Sequence, residues 1–222
     1  MCIRDRARAL HATGAHPALS LCIRRGGRVV LERSIGEARP GVRATPETPF
    51  CIFSASKAVT AMVVHLLDDR GALHIDDRVA HYIPAFGQRG KARTTIRHVL
   101  THRAGIPSLE GNTDLDLLAD PERILDLLCA AEPTNRAGRR VAYHAITGGF
   151  VLAEIVRRVT GKTIREVLAE EVLGPLGFRW MNYGVAEADI PSVAENAFTG
   201  RPPPRLVASV ARRALGLSLI HI

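Results

Sequence analysis

The run FSASKAVTAMVVHLLDDRG, residues 53–71, sets a serine and a lysine three residues apart, Ser54 and Lys57, at the mouth of an apolar helix. A lysine that only solvated the first turn would be poorly placed there, because the helix dipole is positive at that end. At i and i+3 the two side chains share one face of the turn. A free lysine holds its proton up to a pKa of about 10.4, but burial and a neighbouring positive dipole favour its neutral form. A lysine so placed can take or relay the Ser54 hydroxyl proton, while the serine's own backbone N–H stabilises an oxyanion. The chemistry that these residue types suit is nucleophilic attack on a carbonyl.

Other reactive residues form weaker patterns. His98 and His102, at i and i+4 in RHVLTH, would put two imidazoles on one helix face, but the HExxH glutamate is absent and no third ligand is evident, so no metal site is expected. Cys22, Cys51 and Cys129 show no CxxC spacing and are expected to be small buried hydrophobes rather than a disulfide framework or a zinc ribbon. The formal charge is +8 and almost all cationic side chains are arginine, with Lys57, Lys91 and Lys162 the lysines. These arginines are scattered and follow no nucleic-acid-binding motif, so they are read as a solvated surface and no nucleic-acid partner is expected. No apolar run approaches the length of a membrane span.

The two ends stand apart from the rest. One short DNA string and its reverse complement encode MCIRDR (residues 1–6) and LSLIHI (residues 217–222), the pattern of a transposon-type sequencing adapter translated as protein. These hexapeptides, which also carry Cys2, are excluded from the fold. Residues 7–216 are then expected to be an internal fragment, which leaves signal peptide, localisation and oligomeric state open.

Elements that position the candidate residues can be placed from pattern. Leu19, Leu21 and Ile23 alternate, the chain turns at Gly26-Gly27, and β-branched residues follow, which predicts a hairpin. ATPETPF is a proline-broken loop. Val59, Met62, Val63, Leu66 and Leu67 recur at helical spacing as a buried stripe that ends at Gly71. HIDDRVAHYIPAFG reads as an irregular connection, and TTIRHVLTHRAGIP as a short helix capped by Gly105 and Pro107. Asp120-Pro121 opens a helix to about Ala131. Leu152, Ile155, Val156 and Val159 form the face of another that Gly161 stops, Ile164, Val167 and Leu168 begin the next, and TGRPPPR is a loop or linker. A hairpin followed by helices is a mixed arrangement, not βαβ alternation.

Three blocks then occur in order: TPFCIFSASKAVTAMVVHLLDDRGALHIDDRVAHYIP, TTIRHVLTHRAGIP and GRRVAYHAITGGFVLAEIVRRVTGKTIREVLAEEVLGPLGF. Together they resemble the serine β-lactamase-like family, which includes class C β-lactamases, penicillin-binding D-Ala-D-Ala carboxypeptidases and β-lactamase-like esterases, and the resemblance covers nearly all of residues 18–184. It implies an α/β fold of the α+β type, with an antiparallel sheet flanked by helices and an inserted all-helical region. The expected division is residues 7–53 (N-terminal helix and hairpin), 54–160 (mostly helical) and 161–216 (return toward the sheet, incomplete). It also implies that Ser54 is the acylated nucleophile, Lys57 its partner, and Tyr143 the tyrosine of the second motif, whose phenol shuttles protons to the leaving group. No cofactor and no metal are implied, and the partner is a small-molecule ester or amide.

Two departures bear on activity. Where the lactamase pattern has Tyr-x-Asn, this chain has Tyr143-His144-Ala145, and alanine offers neither an amide hydrogen bond to substrate nor a side chain to orient the lysine. That favours ester hydrolysis over β-lactamase or D-Ala-D-Ala carboxypeptidase activity. His144 is expected to be structural, with its ring turned away from the face of Tyr143. The family's third motif, a Lys-Thr-Gly or His-x-Gly segment on a C-terminal strand, has no match here, so the fragment itself is expected to be inactive and, with sheet edge exposed, poorly soluble. A non-catalytic ligand-binding member of the same fold is the alternative from another class.

Overall fold

The computed structural model describes residues 2–109 and 116–197. They group into two compact units, one of residues 2–53 and 182–197, the other of residues 54–109 and 116–181.

The first unit is a small antiparallel sheet preceded by a helix, α1 (Ile3–Ala12). β1 (Ala18–Arg25) and β2 (Arg28–Arg39) pair from Ala18↔Gly36 to Arg25↔Arg28. Gly26 and Gly27 join them with φ of 54° and 76°, the two positive values that a tight hairpin turn demands. Leu19, Leu21 and Ile23 lie half-buried on one face, and Ser20, Cys22 and Arg24 are exposed on the other. This alternation corrects the expectation for Cys22, which the strand's period of two turns to solvent. Cys51, in the loop before Ser54, is exposed as well, and Cys129 is half-buried.

A turn at Pro40-Gly41, which the residue pattern did not reveal, brings β3 (Val42–Arg43) back to the end of β2. Residues 182–197 close this unit: the Glu195 N–H donates to the Ala38 carbonyl at 2.8 Å, the Ala194 N–H to that of Pro49 at 2.9 Å, and Arg39 Nε to that of Val193 at 2.9 Å.

Helices build the second unit. α2 (Ser56–Asp69) buries Thr60, Val63, Val64 and Leu67. Met62, expected in the stripe, is 39% exposed, because the buried face is centred on Val63 and Val64. The segment expected to be irregular contains α3 (Val79–Tyr82) and a 3-10 turn at Pro84–Gly87. α4 (Ile96–Leu100) is capped by Thr95, whose hydroxyl accepts the His98 N–H, and it ends well before Gly105. α5 (Pro121–Ala130) starts with proline at its first position and the Asp120 side chain accepting the Arg123 N–H.

α6 (Thr147–Thr160) buries Val151, Leu152, Ile155 and Val156 and stops at Gly161, which has φ 72°. It packs against α2, α3, α4, α5 and α7 (Ile164–Leu168) and so forms the centre of the unit. After α7 the chain widens into a π turn at Ala169–Leu173. Pro175 explains the widening, since its ring would clash with the carbonyl four residues back in a regular helix.

Lys91 is 1% exposed. Its Nζ donates to the carbonyls of Cys129 and Ala131 at the end of α5 and lies 5.5 Å from the Phe86 ring centroid. The otherwise unpaired carbonyls of a helix end are thereby satisfied, and burial pushes the lysine's pKa down. TGRPPPR lies outside the described residues. No helix among the described residues is long and apolar enough to cross a membrane.

Candidate active site

Ser54 sits in the 3-10 turn Phe53–Ala55 that leads into α2. Phe53, just before it, has φ 45°, an unusual conformation for a bulky side chain and one that concentrates at functional sites. Lys57 follows as the second residue of α2, so the expected i, i+3 geometry is realised across the junction of turn and helix. Its Nζ donates to Ser54 Oγ at 3.2 Å and to the Ala145 carbonyl oxygen at 2.6 Å.

The second bond changes the significance of position 145. An alanine side chain cannot hold the lysine, but the backbone carbonyl at the same residue does.

Tyr143 lies in the irregular run 141–144 ahead of α6. Its side chain interacts with both Ser54 and Lys57, and Lys57 Nζ stands 5.0 Å from its ring centroid. Burial is the largest single influence on the phenol and raises its pKa, but the polar interactions with Ser54 and Lys57 and the lysine's charge together outweigh it. The net effect holds the phenol below its usual value of 10.0. Ser54, Lys57 and Tyr143 thus form one interacting cluster, with a phenol whose proton is easier to lose than in water.

His144 is 1% exposed. Its Nε2 accepts the Ile106 N–H at 3.1 Å, which leaves the proton on Nδ1, and Nδ1 donates to the Ala142 carbonyl at 2.6 Å. Both ring nitrogens are engaged with backbone, and burial foremost pushes the imidazole's pKa down. The ring is a neutral structural element, as expected. His98 and His102 do not share a helix face, because α4 ends at Leu100 and His102 has φ 58°. Among the described residues no cluster of three side chains could hold a metal ion.

The family model described as Beta-lactamase matches residues 3–217. The chain belongs to the β-lactamase family. Among relatives of this β-lactamase-family chain, the esterase/β-lactamase LipL of Mycobacterium tuberculosis is 43% identical over 145 residues, covering 65% of this chain and 33% of that protein. A penicillin-binding protein homologue from Caulobacter crescentus superposes with a TM-score of 0.84 at 31% identity, covering 90% of this chain and 54% of that one. A family VIII carboxylesterase gives a TM-score of 0.79 at 30% identity over 86% of this chain and 53% of its own. The chain spans about a third of the length of the curated relatives it matches. The α+β fold of helices and antiparallel sheet is the β-lactamase/transpeptidase-like one.

Residue types alone missed how residues 101–107 hold this site. Gly105 O accepts the Thr134 N–H at 2.8 Å, Arg103 O accepts the Gly138 N–H at 2.9 Å, and Thr147 Oγ1 donates to Ile106 O at 2.7 Å. THRAGIP is therefore a template for the segment that carries Tyr143 rather than the end of a helix. The signal that pointed to it was Gly105, whose φ of 81° is one that few other residues adopt.

Proposed function

We propose that the protein is a serine hydrolase that works through an acyl-enzyme, with Ser54 as nucleophile, Lys57 and Tyr143 as proton carriers, and small esters as preferred substrates. The observation that carries this reading is the meeting of Lys57 Nζ and the Tyr143 hydroxyl at Ser54 Oγ. Ser54 Oγ bonds to the substrate carbonyl carbon as its proton passes into the Lys57–Tyr143 pair. The tetrahedral adduct then collapses, and the leaving oxygen departs with a proton returned through Tyr143. Water repeats the sequence on the acyl-serine and releases the acid.

Esters are favoured over lactams and peptides for a chemical reason. An alkoxide or phenoxide leaves more readily than an amine, so ester cleavage depends less on the amide group that Ala145 lacks. The similar proteins, an esterase/β-lactamase and a carboxylesterase, agree with that preference. A D-aminopeptidase from Brucella anthropi, 30% identical over 174 residues, keeps amide substrates as the second reading.

Intact-mass spectrometry after exposure to a fluorophosphonate, on a form extended by a C-terminal segment that carries the third motif, tests the assignment. The expected result is one adduct on the wild type, none on Ser54→Ala, and an unchanged adduct on Ser56→Ala. An adduct that survives Ser54→Ala and disappears with Ser56→Ala would show the motif register to be wrong, and an unlabelled wild type would favour a ligand-binding role.

A further inference from the structure

His102 belongs to no part of the chemistry just described, yet it touches the Tyr143 segment on both sides. Its carbonyl oxygen accepts the Ala142 N–H at 2.9 Å, and its Nδ1 accepts the His144 N–H at 3.2 Å. The N–H groups of the two residues on either side of Tyr143 are therefore both held by one residue. The imidazole also meets the Tyr143 ring edge-on, with centroids 4.9 Å apart at 60°, and stacks on His144 at 5.9 Å and 22°. Its backbone is left-handed, at φ 58°, a conformation that histidine, asparagine and aspartate enter more readily than most residues.

We propose that His102 is a positioning residue for Tyr143, holding the phenol where it meets Ser54 and Lys57 through a backbone clamp on each side and a ring contact from the edge. The catalytic meaning of this role rests on the serine hydrolase reading, but the positioning does not. The clamp needs a lone pair on Nδ1, hence a neutral ring protonated at Nε2. Among the described residues, the ionisable groups that face the imidazole are Lys57 from α2, and Tyr143 and His144 from the irregular run. Burial first, and the Lys57 charge second, hold its pKa below the usual 6.5, so the acceptor is intact at neutral pH. Protonation would turn Nδ1 into a donor pointed at the His144 N–H and release one side of the clamp.

The test uses the same extended form with tyrosines labelled at Cζ, whose NMR shift follows phenol ionisation, and Tyr143→Phe to assign the signal. Tyr143 should titrate below 10.0, well apart from Tyr82, which burial and Asp77 push up to about 12. His102→Gly deletes the ring without adding strain at φ 58°. It should move the Tyr143 titration upward and slow fluorophosphonate labelling of Ser54 about ten- to hundredfold, the effect of a misplaced catalytic group. His102→Asn, whose Oδ1 can accept the His144 N–H and whose backbone tolerates this conformation, should restore the Tyr143 titration and bring labelling to within about threefold of wild type.

Should the glycine variant not fold, the wild type still answers. Its His144 amide and Tyr143 ring resonances should move together on acidification, with the midpoint of the His102 imidazole. A Tyr143 titration unchanged in His102→Gly, or His144 and Tyr143 signals indifferent to His102 protonation, would overturn the proposal. A wild type that never labels would overturn the hydrolase reading instead, and the tyrosine titration would still decide the role of His102.

Discussion

The helical unit and the sheet unit achieve closure to very different degrees. In the helical unit Val63, Val79, Phe86, Ile96, Leu128 and Val156 are sealed from solvent, and even a lysine and a histidine are fully buried with polar partners. In the sheet unit the buried apolar residues, among those described, are Ala38 and Ala194, while Val29, Val30 and Val42 stay exposed. Lys57, Tyr143 and His102 are half-buried and Ser54 is exposed, but all four belong to the unit that holds this sealed core. Proton transfer needs distances held to a fraction of an ångström, and a close-packed interior supplies that rigidity. A face of exposed valines does not.

The sharpest way to break this contrast is a glycine from each unit. Gly105 and Gly27 both have positive φ, at 81° and 76°, but only at Gly105 would a Cβ meet other atoms, 2.3 Å from Asn135 O and 3.2 Å from Pro133 Cβ. Gly27→Ala bears the left-handed penalty alone, about 1–2 kcal/mol. Gly105→Ala bears that penalty and must also push back the loop segment that Thr134 ties to its carbonyl, so its loss should exceed that of Gly27→Ala by about 1–3 kcal/mol. Urea unfolding measures both variants, followed for Gly105→Ala by the fluorescence of Trp180, the single tryptophan and a residue of the helical unit, and for Gly27→Ala by the far-ultraviolet circular dichroism of the sheet. Equal losses would mean that the 101–107 template is not stiff.

This glycine also marks the boundary of what could be read in advance. The hairpin at Gly26-Gly27, the stop of α6 at Gly161 and the Ser54–Lys57 pair are local: each depends on a backbone angle or on a spacing within one turn, and residue type reports both. Tyr143 was not legible that way and came with the family resemblance. The pairing of residues 101–107 with 134–147 engages a backbone N–H or C=O group in every bond, and every residue carries those groups, so the side-chain pattern does not announce the partner. The Lys57 bond to the Ala145 carbonyl is hidden for the same reason. Met62 was misplaced because an apolar run wider than the buried face leaves the choice of face to tertiary packing.

Acid should act on the helical unit through its histidines. His98, His102 and His144 all have pKa values lowered from 6.5, in each case with burial as the leading cause. In the unfolded chain they take up protons near 6.5, whereas in the folded unit they resist doing so, so the unfolded state binds more protons in that window. Their stabilisation is fully present above about pH 6.5 and is lost as pH falls through the folded-state values. Each contributes at most about 1.4 kcal/mol per pH unit, and less for the half-buried His98 and His102 than for His144, because solvent screens them. The urea midpoint reported by Trp180 should be flat from pH 8 to about 6.5 and fall below that. A midpoint independent of pH down to about 5 would mean that these rings are wetter than their contacts indicate.

The smallest effect concerns Ala145, and the structure explains why it should be small. An asparagine introduced there would bring two possible services, orienting Lys57 and donating an amide hydrogen bond to substrate. The first is already performed, since Lys57 Nζ lies 2.6 Å from the Ala145 backbone carbonyl and any residue at 145 would supply that oxygen. Only the substrate bond is new. One neutral hydrogen bond contributes about 0.5–1.5 kcal/mol, or roughly three- to tenfold in rate. The wild type should therefore acylate with a p-nitrophenyl ester far faster than with a cephalosporin, and Ala145→Asn should narrow the gap by that factor through the cephalosporin alone. The ratio of the two kcat/KM values in each form is the measurement. A wild type that prefers the cephalosporin would overturn the ester assignment. A gain well beyond tenfold would instead show that asparagine also repositions Lys57, and that the carbonyl is a weaker anchor than its distance implies.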